Sequence, residues 1–103
     1  MINDEGTYEG FSLSSTEGKR GASNTVFYRM HALKSEGEVF TVRSCMTEDY
    51  LDFHKGTEPF PILKDDAMQE VKRRIDAGDF EASRTYESTF TLKGKTSFQQ
   101  ISE

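Results

Sequence analysis

The chain has 103 residues, with 18 Asp and Glu against 13 Lys and Arg and a formal net charge of -5. That length holds one domain and not two self-sufficient cores, and eight Phe with four Tyr give too much apolar surface for a disordered chain. The acidic excess argues against a general nucleic-acid binder, which carries a basic stripe, and is too modest for a duplex mimic.

No apolar run approaches the ~20 residues of a membrane span. The opening Met1-Ile2-Asn3-Asp4-Glu5 lacks the basic start and apolar stretch of a secretory signal. A cytoplasmic protein with no membrane association is therefore expected. A single cysteine, Cys45, forms no intramolecular disulfide and supplies no multi-cysteine zinc site.

Residues 1–24 are polar and glycine-rich. They are expected to be a mobile N-terminal segment in which Tyr8, Phe11 and Leu13 make one short strand, with turn composition from Ser14 onward. A single α+β domain is expected over 25–103. Thr25 to Lys34 alternates Val26, Tyr28, Met30 and Ala32 with Phe27, Arg29, His31 and Leu33. Glu38 to Met46 alternates likewise. A three-residue loop, Ser35-Glu36-Gly37, would pair Ala32 with Phe40, Met30 with Val42, Tyr28 with Ser44 and Val26 with Met46, which puts nearly every apolar residue on one face.

Thr47 is placed to cap a short helix, Glu48 to Lys55, with Glu48 and Asp49 in its first turn. The two prolines of Glu58-Pro59-Phe60-Pro61 interrupt the pattern. A longer helix is expected from Asp66 to Ala77, capped by Asp65, with Ala67, Met68, Val71 and Ile75 as its apolar stripe and Gly78 as its stop. Arg84 to Lys93 reads as a closing strand, and Phe98 and Ile101 as a final short packed segment. The expected architecture is a small antiparallel sheet of about four strands, packed on one face by one longer and one short helix.

The stretch Val42-Arg43-Ser44-Cys45-Met46-Thr47-Glu48-Asp49-Tyr50-Leu51-Asp52-Phe53-His54 follows a hairpin, and a helix containing Val71-Lys72-Arg73-Arg74-Ile75-Asp76-Ala77-Gly78 precedes a closing strand. This order over about residues 26–93 resembles small bacterial proteins of the domain-of-unknown-function family 1488. The resemblance implies a strand bearing the cysteine, a capped short helix, a longer helix ending in glycine and a final strand. It implies no activity, and the proline-containing link departs from it.

No convergent catalytic set stands out. In the expected register Cys45 lies opposite Phe27, and His31 is four residues further along that strand, roughly 13 Å away. That is too far for a thiol–imidazole pair. His31, His54, Asp49 and Asp52 have no recognised ligand spacing, so no metal and no cofactor are expected. Gly18-Lys19-Arg20-Gly21 lacks the helix signal of a phosphate loop. Lys72, Arg73 and Arg74 read as a solvated helix face.

The remaining constellation is Arg29, His31 and Arg43. Arg29 and Arg43 would stand directly opposite each other, which is destabilising unless an acid compensates. Glu87 lies on the right kind of face to do so. Otherwise the pair is suited to an anion or an acidic partner. The expected function is a non-enzymatic module that binds another protein, of the inhibitor or antagonist type found in phage, mobile-element and immunity systems. The alternative is a small anionic-ligand or enzymatic domain with its site at a homodimer interface.

Overall fold

The computed structural model describes residues 2–19 and 25–101. Its first strands, β1 (Asn3–Tyr8) and β2 (Phe11–Lys19), are joined by Glu9 and Gly10, both at positive φ, 48° and 84°. Two successive left-handed residues make the turn whose twist matches a two-residue hairpin. The expected single short strand at Tyr8 to Leu13 is therefore a hairpin that extends through Ser14 to Lys19. The rest of the expected loop, residues 20–24, lies outside the described residues.

β3 (Val26–Lys34) and β4 (Gly37–Met46) pair antiparallel, as their alternation predicts. Ala32 faces Phe40, Met30 faces Val42, Tyr28 faces Ser44 and Val26 faces Met46. The turn differs from expectation. Lys34 pairs with Gly37, leaving a two-residue loop, and an irregularity between Ala32 and Leu33 restores the register. Gly37, at φ 120°, takes a conformation that side chains disfavour.

Helix α1 (Glu48–Phe53) stops two residues short of the expected Lys55, with His54 at its C-cap. Thr47 stands at its N-cap without capping through its side chain. Its hydroxyl bonds Asp49 and the Phe90 carbonyl, and the Asp49 carboxylate accepts the Tyr50 N–H at 2.8 Å. Helix α2 (Pro59–Ala77) begins seven residues before the expected Asp66. The prolines start this helix. In the first turn an N–H has no intrahelical acceptor, so its loss is harmless, and the fixed φ is already helical. Gly78 ends α2 in the left-handed region, and the Asp79 N–H reaches back to the Arg74 carbonyl at 2.9 Å.

β5 (Arg84–Thr91) runs parallel to β4, because two helices carry the chain back to the same end of the sheet. β6 (Gly94–Lys95) and β7 (Gln99–Ile101) both pair antiparallel with β5. The α+β class is as expected. The sheet is mixed and seven-stranded, in the order β1-β2-β3-β4-β5-β6 with β7 also on β5, where an antiparallel sheet of about four strands is expected from sequence.

One face of the sheet holds the core. Leu13, Met30, Phe40, Val42 and Met46 pack beneath Leu63, Ala67 and Val71 of α2. Each fully buried aliphatic side chain of this set is worth about 1.5–3 kcal/mol. Phe40 stacks on Phe80 at 4.6 Å and meets Phe11 and Tyr86 edge-on. Tyr50 of α1 packs on Phe90 of the same face at 5.7 Å. Both helices thus lie on one side of the sheet. No helix among the described residues is long and apolar enough to cross a membrane.

Candidate functional site

The opposite face of the sheet carries no helix, and it is where Arg29, His31 and Arg43 stand. Directly paired residues point to the same side, so the face can be read off in rows. One row is Thr16, Arg29, Arg43 and Glu87 across β2 to β5. The next is Asp4, Ser14, His31, Thr41 and Thr85 across β1 to β5. Phe27 and Cys45 lie on one side of these rows, and Ser12 and Leu33 on the other. The face is rich in hydroxyls, with cations at its centre.

Arg43 and Glu87 form a close ion pair through the guanidinium Nε and Nη2. The two side chains are 5% and 17% exposed, so this pair sits within the sheet surface and not above it. His31 lies between Thr16 and Thr41, with Nε2 3.4 Å from the Thr16 hydroxyl and Nδ1 3.1 Å from that of Thr41. Glu38 closes the group, accepting from Thr41 and standing 3.4 Å from His31 Nδ1.

Arg29 differs from both. It faces Arg43 directly, but Glu87 is taken by Arg43. Its guanidinium lies 5.0 Å from the centroid of the Phe27 ring. Its Nε is buried, and no group among the described residues accepts a hydrogen bond from it. The structure therefore brings together the three residues singled out from sequence; among the described residues Arg43 and His31 have polar partners, and Arg29 has the Phe27 ring.

Beside them a cleft of about 540 Å³ opens on the same face, lined by Ile2, Asp4, Ser12, Ser14 and Leu33 among others. It forms where the β1–β2 pairing is irregular between Asp4 and Thr7. The sequence reading missed the cleft; its signal is Gly6, at φ 88°, since a glycine within a strand marks a bulge.

Cys45 is buried opposite Phe27 and away from His31. His54 stacks on Tyr50 at 4.3 Å on the helix side. Among the described residues no three His, Cys, Asp or Glu side chains gather as a metal site requires.

Two polar clusters on the helix side escaped the sequence reading. Ser15 donates to Glu5 at 2.6 Å and lies 2.9 Å from the Tyr28 hydroxyl, and Lys64 of α2 meets Glu5 at 3.1 Å. Burial raises the Glu5 pKa, but the Ser15 and Lys64 hydrogen bonds and the Lys64 charge outweigh it and hold the group below the usual carboxylate value. Burial, with the Glu5 charge, pushes Tyr28 up. A wholly buried serine beside a tyrosine that is harder to ionise is not an activated nucleophile. The cluster ties β1 to β2, β3 and α2.

In the second cluster Ser44 and Ser88, paired on β4 and β5, both donate to Asp66, at 2.7 and 3.3 Å, and Lys95 meets the same carboxylate at 3.2 Å. Asp65 and Asp66 thus lie within α2 and not at its start. Of Lys72-Arg73-Arg74, the first two are exposed, as a solvated face requires, and only Arg74 departs from that reading. Arg74 is buried, with its guanidinium 3.8 Å from the Tyr86 ring centroid and bonded to Glu70 and the Asp79 carbonyl. Lys72 lies 5.2 Å from the Tyr8 ring centroid, and Arg73 pairs with Glu70.

Compared with protein-family models, with curated proteins and with solved structures, the chain matches none.

Proposed function

We propose that this chain is a non-enzymatic binding module that docks the helix-free face of its sheet onto another protein, as an inhibitor or antagonist would. One observation carries the reading. The helices cover one face only, and the other is a broad surface with an aromatic ring, a cation without an acceptor among the described residues and a cleft. Interfaces are built from such parts: aromatic and arginine anchors within a polar, hydroxyl-bearing surround. The polar clusters on the helix side support the reading in a second way. Their carboxylates and hydroxyls are used in holding α2 to the sheet, so these two clusters have a structural use.

A homodimer formed through this face is disfavoured by charge. A two-fold axis through its centre would bring each Arg29 against its own copy. A polyanion is disfavoured as well, since the chain carries a net charge of -5.

The test is capture from nuclease-treated host lysate by the immobilised chain and two variants. Thr85→Arg places a long charged side chain on the open face, and Asp52→Lys alters α1 on the helix side. The expected result is one stoichiometric protein, displaced by free chain, kept by Asp52→Lys and lost by Thr85→Arg. Loss by Asp52→Lys alone would move the interface to the helix side, and no retained protein would remove the reading.

A further inference from the structure

Resting on that reading, we infer that the partner segment brings one isolated carboxylate to Arg29 and one apolar side chain to the cleft between β1 and β2. Arg29 supplies the first half. Its nearest cation, Arg43, already has Glu87, and its own Nε is buried without an acceptor among the described residues. Because that Nε is closed to an outside group, the carboxylate meets the two Nη groups end-on, and a guanidinium held by the sheet and the Phe27 ring loses little freedom in such a forked pair. The same contact would relieve the opposition of Arg29 to Arg43.

The cleft supplies the second half. Leu33 and Ile2 line it, and Ile2 is 72% exposed. Ser12 and Ser14 on its wall offer hydroxyls to a neighbouring backbone. Leu33 and Arg29 share one face of β3 at a separation of four residues, roughly 13 Å at strand rise. An occupant must therefore span about that distance between its apolar group and its acid.

The surroundings limit the charge of the occupant to one acid. Asp4 lines the cleft, Glu38 sits beside His31 and Glu87 beside Arg43. A run of carboxylates or a phosphate backbone would meet these acids. A single carboxylate directed at Arg29 does not.

The experiment uses a displayed library of random twelve-residue peptides, selected on the whole chain. The expected outcome is a consensus with one Asp or Glu at a fixed spacing from one Leu, Ile, Met or Phe, flanked by uncharged residues. Peptides of that consensus should bind Arg29→Glu at least about tenfold more weakly. Arg29→Lys should recover part of the loss, and Ser12→Trp, which fills the cleft, should weaken binding without changing the acid preference. Matching thermal midpoints would show that the variants fold alike.

Selected peptides without an acid, or indifferent to Arg29→Glu, would overturn the inference. So would a dimer by sedimentation that Arg29→Glu dissociates, or a single-stranded twelve-base DNA that binds through Arg29. A lysate partner that Thr85→Arg loses but Arg29→Glu keeps would leave the binding module standing and remove only the inference. Failure of both lysate and library would remove both.

Discussion

Arg29 and Arg43 stand directly opposite each other on neighbouring strands, and Arg43 holds Glu87 while Arg29 holds no carboxylate among the described residues. Two like residues in one row of a sheet thus have unlike roles. Removing the guanidinium of Arg29 takes away a like-charge neighbour and the Phe27 ring contact, and no ion pair among the described residues. Arg29→Ala is therefore expected to leave stability within about 0.5 kcal/mol of the parent, or slightly above it. Urea unfolding at neutral pH checks this. A loss of several kcal/mol would show that Arg29 has a structural partner.

Arg43 should behave in the opposite way. Its side chain is 5% exposed, and removing it takes the ion pair from Glu87, which is itself partly buried. Arg43→Ala and Glu87→Ala are each expected to cost about 3 kcal/mol, the lower end of the range for breaking a buried pair. The double variant should cost clearly less than the sum, because the same ion pair is lost in each single variant. Additive losses in the cycle would mean that the two residues act through other neighbours.

The strands and helices became legible to the extent that apolar side chains mark them. β3 and β4 alternate strictly, and their register followed from the pairing of Ala32, Met30, Tyr28 and Val26 with Phe40, Val42, Ser44 and Met46. β2 carries Ser15 at a fully buried position, where an apolar residue would have signalled the strand. Ser15 is tolerated there because Glu5 and Tyr28 satisfy its hydroxyl, and both come from other strands. The turn Glu9-Gly10 lacks the Asn or Asp that announces such hairpins. In α2, the prolines that start the helix read as an interruption. At the site, alternation alone set Arg29 against Arg43 and placed Glu87 on the compensating face. That Glu87 pairs with Arg43 and not with Arg29 depends on three strands meeting, and no single stretch of sequence contains it.

Asp66 offers a test of the helix-side clusters. It accepts hydrogen bonds from Ser44 and Ser88, both essentially inaccessible to solvent. Asp66→Ala leaves two buried hydroxyls without their acceptor and Lys95 without its carboxylate. The expected cost is about 2–4 kcal/mol, from one to two unsatisfied buried groups. Asp66→Asn keeps an acceptor oxygen and should cost less. Adding Ser44→Ala to Asp66→Ala should restore part of the loss, since the stranded hydroxyl is removed. Thermal unfolding of the four proteins gives the comparison, and no recovery in the double variant would show that Ser44 finds another acceptor.

Acid should loosen β1, and the sign follows from Glu5. Its carboxyl is held below its ordinary value of about 4.5, so the folded chain binds that proton more weakly than the unfolded chain. The stabilisation is complete above the ordinary value and is lost as pH falls through the lower, folded value. Glu70 contributes with the same sign. Burial raises its pKa, but hydrogen bonds and charge from Arg73 and Arg74 outweigh it. Glu5→Gln should therefore be less stable than the parent at pH 7, and the two curves should converge as pH drops below about 4.5. Glu70→Gln should remove a separate part of the acid sensitivity, since it acts at the far end of α2. Urea midpoints measured from pH 7 down to pH 3 decide it. Parallel curves for Glu5→Gln and the parent would show that Glu5 is as easily protonated in the folded chain as in the unfolded one. With convergence, amide exchange on β1 should rise first in the parent at low pH, because the carboxylate that ties the strand to Ser15, Tyr28 and Lys64 is the one being lost.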